Sequence, residues 1–412
     1  MKRVGVLVLL FFLCLRMTVF AAEPNVGAAG VALIDGDSGR LLWGKDEERQ
    51  LAMASTTKIM TAILVLELVN LEDIVTISRH AASQPEVNMN LVLGEEWYAG
   101  DLLKVMMLRS YNDAAVALAE YVGGSEAEFC RMMTEKAAEI GAGNTVFGSP
   151  NGLDSHLTDE EHHSTAYDMS LIAMYAMENE GFREIAALSE ITIREVNGKR
   201  EQHTSNANRL LREYMGALGV KTGYTNKAGH CFVAAAERDG VFLISTVLAS
   251  GWGERGKEGK WTDTRAILDY GFENFSLHEI IRAGSEAGRV AVAHSEVAEI
   301  GGIYGDGYEA LFSEEEMSKI VLRNNLPERM EAPVMRGAYI GEVEIWLDEA
   351  QLAVISISAS EEAPPYGLKE WFSYLNQNWL TWHILTHTQS VTPRSEFSVF
   401  FLYAYVLTFL HR

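Results

Sequence analysis

Ser55-Thr56-Thr57-Lys58 sets a serine three positions ahead of a lysine, at the start of a long apolar run. Alone, the stretch is an ordinary helix start, because Ser and Thr oxygens satisfy the free N–H groups of a first turn. Two further stretches change that reading. Ser110-Tyr111-Asn112 falls at a break between two helical runs, and Lys221-Thr222-Gly223 opens a strand hairpin. On a helix, residues i and i+3 share a face, so Lys58 can reach the Ser55 hydroxyl. A serine hydroxyl is a weak nucleophile at neutral pH and needs an adjacent base. A lysine amine serves as that base when burial and a second cation, here Lys221, lower its pKa. The helix start adds partial positive charge where an oxyanion would form, and the backbone N–H groups of Ser55 and Tyr224 would hold it. Ser110 offers a hydroxyl for proton relay, and Asn112 an amide to hold Lys58 or the substrate backbone. Lys221 and Thr222 supply a cation and a hydroxyl for a substrate carboxylate. Gly223, without a side chain, lets a substrate strand lie close to its edge. Each motif alone arises often by chance; their order, each in the context its chemistry needs, carries the signal.

The elements that must position these groups follow from the pattern. "GVALIDGDSGRLLWG" sets two apolar runs around Asp35-Gly36-Asp37-Ser38-Gly39, the signature of a β-hairpin. From Ser55 to about Asn70 the pattern is helical. "AGDLLKVMMLRSYNDAAVALAEYVGG" gives two helical runs broken around Arg109 to Asp113, and Glu126 to Ile140 predicts another, ended by Gly141. "GHCFVAAAERDGVFLISTVLAS" reads as strand, Arg-Asp-Gly turn and strand, and "WTDTRAILDYGFENF" as a closing helix. Strands at both ends with helices between predict an α+β domain, with α/β as the alternative, whose terminal strands share one sheet. Beyond Phe275, short alternating runs such as "RVAVAH" and "GEVEIWL" predict a small β-rich domain over 277–360, followed by a linker at "EEAPPYG".

Composition bounds the function. The chain has 412 residues, 48% hydrophobic and 22% charged, enough for two domains with their own cores. A net charge of −23 without a basic tract argues against nucleic acid as a partner. At the N-terminus, Lys2 and Arg3 precede an apolar stretch from Val4 to Leu15 and then the small residues Ala21 and Ala22. This is the layout of a secretory signal peptide over 1–21, cleaved after Ala21 or Ala22, with Arg16 interrupting any anchor helix. Without Cys14 the mature chain keeps Cys130 and Cys231, which are expected as two separate buried thiols.

With these residues in place, the sequence resembles the penicillin-binding proteins, and within them the low-molecular-mass serine D-alanyl-D-alanine carboxypeptidases. "STTKIMTA", "MMLRSYNDAAVALAEYVGGS", "SPNGLDS", "HHSTAYDMSLIA", "GVKTGYTNKAGHCFVAAAERDG" and "DTRAILDYGF" look like family segments in family order, covering about Ala28 to Phe275. The resemblance implies a serine β-lactamase/transpeptidase-like catalytic domain over 24–276, an antiparallel sheet with helices, followed by the family's C-terminal domain. It implies hydrolysis of the terminal D-Ala-D-Ala bond of peptidoglycan stem peptides, with β-lactam antibiotics as covalent inhibitors and no cofactor. The catalytic set is Ser55, Lys58, Ser110 and Asn112; the substrate-binding set is Lys221, Thr222, Gly223 and Tyr224. A β-lactamase, a transpeptidase and a catalytically idle wall-binding protein are the alternatives. Tyr111 stands where many relatives carry Gly and His163 where many carry Tyr, departures that bear on substrate fit.

Other groups have plainer readings. "DEEHH", with His156 nearby, lacks metal-ligand spacing and reads as a polar surface loop. Lys260 and Arg265 read as solvated helix charges, although the resemblance gives Lys260 a possible part in holding the substrate carboxylate. In the tail over 366–412, Leu368, Trp371, Phe372, Leu375, Trp379 and Trp382 share a helical face. That face suits a helix lying in a membrane interface, and "FSVFFLYAYVLTFL" after it is short for a span. A membrane surface is therefore an expected partner, with packing on the protein's own domains as the alternative.

Overall fold

The computed structural model describes residues 23–369 and 371–374. The signal-peptide reading, and the tail reading from Leu375 onward, lie outside the described residues. Among these, no helix is long and apolar enough to cross a membrane. The chain forms two compact units. One takes the residues up to His278 together with Glu309–Ser318; the other takes Glu279–Tyr308 and the residues from Lys319 on.

In the first unit, β1 (Gly30–Asp35) and β2 (Leu41–Lys45) form the N-terminal hairpin. A short 3₁₀ turn, Ala54–Thr57, leads into α1 (Lys58–Leu68). α2 (Ala99–Arg109), α3 (Asn112–Gly123), α4 (Glu126–Ile140) and α5 (Ala166–Glu178) follow. The chain then returns through β3 (Ala217–Thr225), β4 (Gly229–Arg238) and β5 (Val241–Leu248) before α6 (Gly253–Asn274). The sheet order is β2-β1-β5-β4-β3, antiparallel throughout, so the first strand pairs with the last and β3 is a free edge.

Side chains along a strand alternate between faces, and here each face has its own core. Val31 and Leu33 of β1 join Phe232, Ala234 and Ala236 of β4 and Trp261, Ile267 and Leu268 of α6. Ala32 and Ile34 join Cys231, Val233 and Ala235 and the helices from α1 to α5. Covering both faces is why β1 and β4 read as continuous apolar runs rather than alternating ones. Full burial of a side chain such as Leu33 or Phe232, both at 0% exposure, stabilises by about 1.5–3 kcal/mol. Cys130 and Cys231 are free, buried and separate, as expected.

α4 spans the predicted residues and ends on Gly141 at φ +95°, a left-handed cap. The turn between β4 and β5 is Asp239-Gly240, both at positive φ, as hairpin twist demands. α6 begins eight residues before the predicted closing helix, through a Gly-bearing stretch of low intrinsic propensity. Packing requires one of those glycines: a Cβ on Gly256 would fall 2.2 Å from the Gly251 carbonyl carbon. The second unit is β-rich, as predicted. Its six-stranded sheet runs from Ile320–Asn325 through Tyr339–Leu347, Ala350–Ala359, Glu299–Tyr304 and Glu286–Ala293 to Arg329–Glu331, over a core of Ile300, Val343, Ile345 and Ile357.

Candidate active site

Ser55 sits in the 3₁₀ turn rather than in α1 itself, and Lys58 opens the α-helix. The preceding residue, Ala54, is held at φ +49°. Gly152 packs against it so closely that a Cβ there would meet the Ala54 carbonyl oxygen at 2.0 Å. Ser110 ends α2 at φ +71° and is the other non-glycine residue of the site in the left-handed region. Such conformations are uncommon and cluster where function demands them.

Lys58 is the centre of the arrangement. Its Nζ lies 3.0 Å from Ser55 Oγ, 2.9 Å from Asn112 Oδ1 and 2.5 Å from the Asn151 carbonyl oxygen. Asn112 Nδ2 donates to Pro85 O at 3.1 Å, which fixes the amide with its oxygen toward Lys58. A neutral amine has two protons and one lone pair. Two carbonyl-type oxygens can take the protons, leaving the lone pair for the Ser55 hydroxyl. Ser55 Oγ is also 3.2 Å from Asn151 O. Lys58 is fully buried, and burial, then the charge of Lys221, holds it well below the ordinary lysine range. The opposing carboxylate, Asp113, is occupied by the backbone N–H groups of Met89, Leu91 and Ala114.

Lys221 is buried on the edge strand and donates to Thr222 O at 3.1 Å. Burial and then the charge of Lys260 lower it to about 7, and burial lowers Lys260 to about 8. Among the described residues, neither Lys221 nor Lys260 has an ion-pair partner, so an arriving anion would favour the charged form of both. Gly223 faces the serine turn: a Cβ there would stand 2.8 Å from Ser55 N and 3.1 Å from Thr56 N. The structure thus brings Ser55, Lys58, Asn112 and Gly223 together, with Lys221, Thr222 and Tyr224 along the same edge strand. The Ser110 hydroxyl is buried without a hydrogen-bond partner, one residue from the Tyr111 that begins the turn into α3.

The family model described as D-alanyl-D-alanine carboxypeptidase matches residues 17–251, and that of the penicillin-binding protein 5 C-terminal domain matches residues 275–364. The chain belongs to the D-alanyl-D-alanine carboxypeptidase family. It is 32% identical over 346 residues to the D-alanyl-D-alanine carboxypeptidase DacF of Bacillus subtilis (strain 168), covering 82% of this chain and 87% of the relative. It is 36% identical over 250 residues to DacB2 of Mycobacterium tuberculosis, covering 60% and 84%. Among solved structures, penicillin-binding protein 5 from Haemophilus influenzae superposes with a TM-score of 0.68 at 27% identity, covering 84% of this chain and 99% of that one. The protein is a serine-type D-alanyl-D-alanine carboxypeptidase, a hydrolase of the penicillin-binding type, with an α+β catalytic fold followed by a β-rich domain.

In this carboxypeptidase several groups differ from the sequence reading. The "DEEHH" segment is not simply a surface loop. His156 is exposed, but His162 and His163 are buried, because the chain pairs Val146 with His163 and Leu51 with Ser164. His162 Nδ1 accepts from Gly148 N at 3.1 Å, and Nε2 lies 3.3 Å from Thr57 Oγ1, which donates to Ala54 O at 2.8 Å. That chain ties the loop to the serine turn. His163 Nδ1 lies 2.6 Å from Asp159 O, and Tyr111 is buried in the helical core. Lys260 is likewise not solvated but buried, its ammonium 4.8 Å from the Trp261 ring centroid. Arg265 ion-pairs with Glu213. The carbonyl of Asn151 escaped the sequence reading because a main-chain oxygen leaves no trace in residue type. His162 had a signal, a histidine eight positions after Asp154 in a segment quoted for the family, but its burial depends on tertiary contacts.

Proposed function

We propose that the enzyme removes the terminal D-alanine from peptidoglycan stem pentapeptides through an acyl-enzyme on Ser55. The observation that carries this is the environment of Lys58: buried, depressed in pKa, with two oxygens for its protons and the Ser55 hydroxyl left for its lone pair. Ser55 Oγ attacks the carbonyl of the penultimate D-alanine while Lys58 takes its proton. The N–H groups of Ser55 and Tyr224 receive the oxyanion. As the C–N bond breaks, the proton passes from Lys58 through Ser110 to the departing amine, and the serine ester remains. Water then adds to the ester, giving a proton to Lys58. The C–O bond breaks, Ser55 regains its proton and the shortened stem leaves as a carboxylate. Lys221 and Thr222 hold the substrate's terminal carboxylate, and Asn112 shares its amide between Lys58 and the substrate. A β-lactam presents the same carbonyl in a ring, so its leaving amine stays tethered and the acyl-enzyme persists.

The enzyme works outside the cytoplasmic membrane, attached to its outer face. Export rests on the charged, apolar and small-residue order of residues 1–22, and attachment on the Trp-bearing face and apolar end of the tail. The decisive assay gives the purified protein a pentapeptide ending in D-Ala-D-Ala, with and without an acceptor amine, and separately a labelled penicillin. Release of D-alanine with free tetrapeptide, and a penicilloyl adduct mapped to Ser55 and lost in Ser55→Ala, support the reading. Fast penicillin turnover without D-alanine release, or dominant cross-linked product, would overturn it. For attachment, a chain ending at Ala363 should remain soluble while the full mature chain pellets with membranes; equal solubility of the two removes the anchor.

A further inference from the structure

Past Gly223 the edge strand continues through Tyr224 and Thr225 before the chain turns into β4. Two large aromatic side chains stand exposed at this end, Tyr224 at 45% and Trp252 at 55%. Both are braced by one residue of the turn. Trp252 Nε1 donates to Asn226 O at 2.8 Å, and Tyr224 Oη donates to Asn226 Oδ1 at 3.1 Å. Gly229 leaves room for the indole, since a Cβ there would lie 3.3 Å from Trp252 Cε2. The Tyr224 ring packs on His230 with centroids 4.4 Å apart. With its N–H already bonded, the indole has only its π surface left to offer a ligand.

We propose that Trp252 is a specificity subsite that receives the side-chain ammonium of the stem residue preceding the penultimate D-alanine. The proposal rests on the function above, which fixes direction and register. A terminal carboxylate at Lys221 and Thr222, with the scissile carbonyl opposite Gly223 and Tyr224, makes the stem an antiparallel strand on the free edge of β3. At about 3.3 Å per residue, the preceding residue comes level with Thr225 and Asn226, where Trp252 is fastened. The ligand so assigned is a stem whose preceding residue is a diamino acid with a free primary amine at the end of its side chain, a group that is charged at neutral pH. Tryptophan is the best aromatic partner for such a cation. Cross-linking turns the amine into an amide and removes the charge, so this subsite favours stems that have not yet been cross-linked.

The test compares two pentapeptides ending in D-Ala-D-Ala that differ only at this residue, one with lysine and one with Nε-acetyl-lysine. Wild-type enzyme should favour the free amine by about two- to five-fold in kcat/KM, the effect of a partly exposed cation–π contact. The ratio should fall to about one in Trp252→Leu and stay above it in Trp252→Phe, which keeps a ring. Because each ratio is taken within one protein, a general loss of activity cancels. D-alanine release with a ratio of one in wild type, or an unchanged ratio in Trp252→Leu, overturns the subsite while leaving the Ser55 chemistry in place. No release from either peptide by wild type overturns both the subsite and the function on which it rests.

Discussion

Asn112→Asp changes one atom beside the general base and tests whether Lys58 acts as a neutral amine. Asn112 Oδ1 lies 2.9 Å from Lys58 Nζ. Its replacement keeps an acceptor there and adds a negative charge. Two unit charges at that distance interact by about 6 kcal/mol at an effective dielectric of about 20. Part of this is offset, because the new carboxylate must itself be desolvated, faces Pro85 O where the amide donated at 3.1 Å, and neighbours Asp113. A quarter of the full value still shifts a titration by about one pH unit. The charge favours protonated Lys58, so the acid limb of the acylation profile must move to higher pH, opposite to the effect of burial and Lys221. The assay is the second-order rate of acylation by a fluorescent penicillin between about pH 5 and pH 10, with Asn112→Ala as the uncharged control. At neutral pH the Asp variant should be at least about tenfold slower, with the deficit shrinking as pH rises. A uniform loss at every pH, with the acid limb where wild type has it, would falsify the assignment of Lys58 as the base.

Two further substitutions probe the scaffold around that chemistry. Gly223→Ala places a methyl 2.8 Å from Ser55 N and 3.1 Å from Thr56 N, both backbone atoms that cannot swing aside. The serine turn and edge strand must part, costing about 1–3 kcal/mol of stability and on the order of 100-fold in acylation rate. Thermal unfolding and penicillin labelling read the two effects, and undiminished labelling would show that the close approach is dispensable. His162 is buried and its pKa falls to about 4, chiefly through burial, against an ordinary value of 6.5. The unfolded chain therefore takes up the proton first, so His162's contribution is fully present above about pH 6.5 and is lost as pH falls toward about 4, on the order of 3 kcal/mol in all. His162→Gln should flatten that part of the stability–pH curve in urea titrations; a slope equal to wild type assigns the acid sensitivity to other groups.

Much of the site was legible because its chemistry uses side chains in short local patterns. Ser55 and Lys58 are three apart on one turn, Ser110 and Asn112 flank a helix break, and Lys221 to Gly223 sit on one strand. What the sequence could not convey was the third dimension between them. Nothing local says that Asn151 O closes the Lys58 hydrogen bonds, or that His162 lies at 0% exposure rather than on a loop surface. Hairpins with strong turns and continuous apolar strands were readable, β1 with β2 and β4 with β5 above all. The hairpin of Glu190–Arg194 and Glu201–Ser205 was overlooked despite its Asn197-Gly198 turn, because its strands carry charges and a single buried apolar residue, Ile193. Lys260 was misread for a physical reason: an ammonium in a helix is assumed to reach water, and only the packing of α6 against the sheet buries it.

The pairing of β1 with β5 sets Gly30 opposite Leu248, so the sheet closes only after nearly the whole catalytic unit has been gathered. Contacts so distant along the chain slow folding, since the loop must be closed before the contact rewards it. The nucleophile and its amine lie near the start of that loop, and the edge strand with Lys221 near its end. Until the two meet, Lys58 is a hydrated ammonium like any other surface lysine and Ser55 an inert alcohol. Reactivity is therefore a product of completed folding. A newly made or partly unfolded chain carries its nucleophile in a disarmed form, and the same event that seals the sheet arms it.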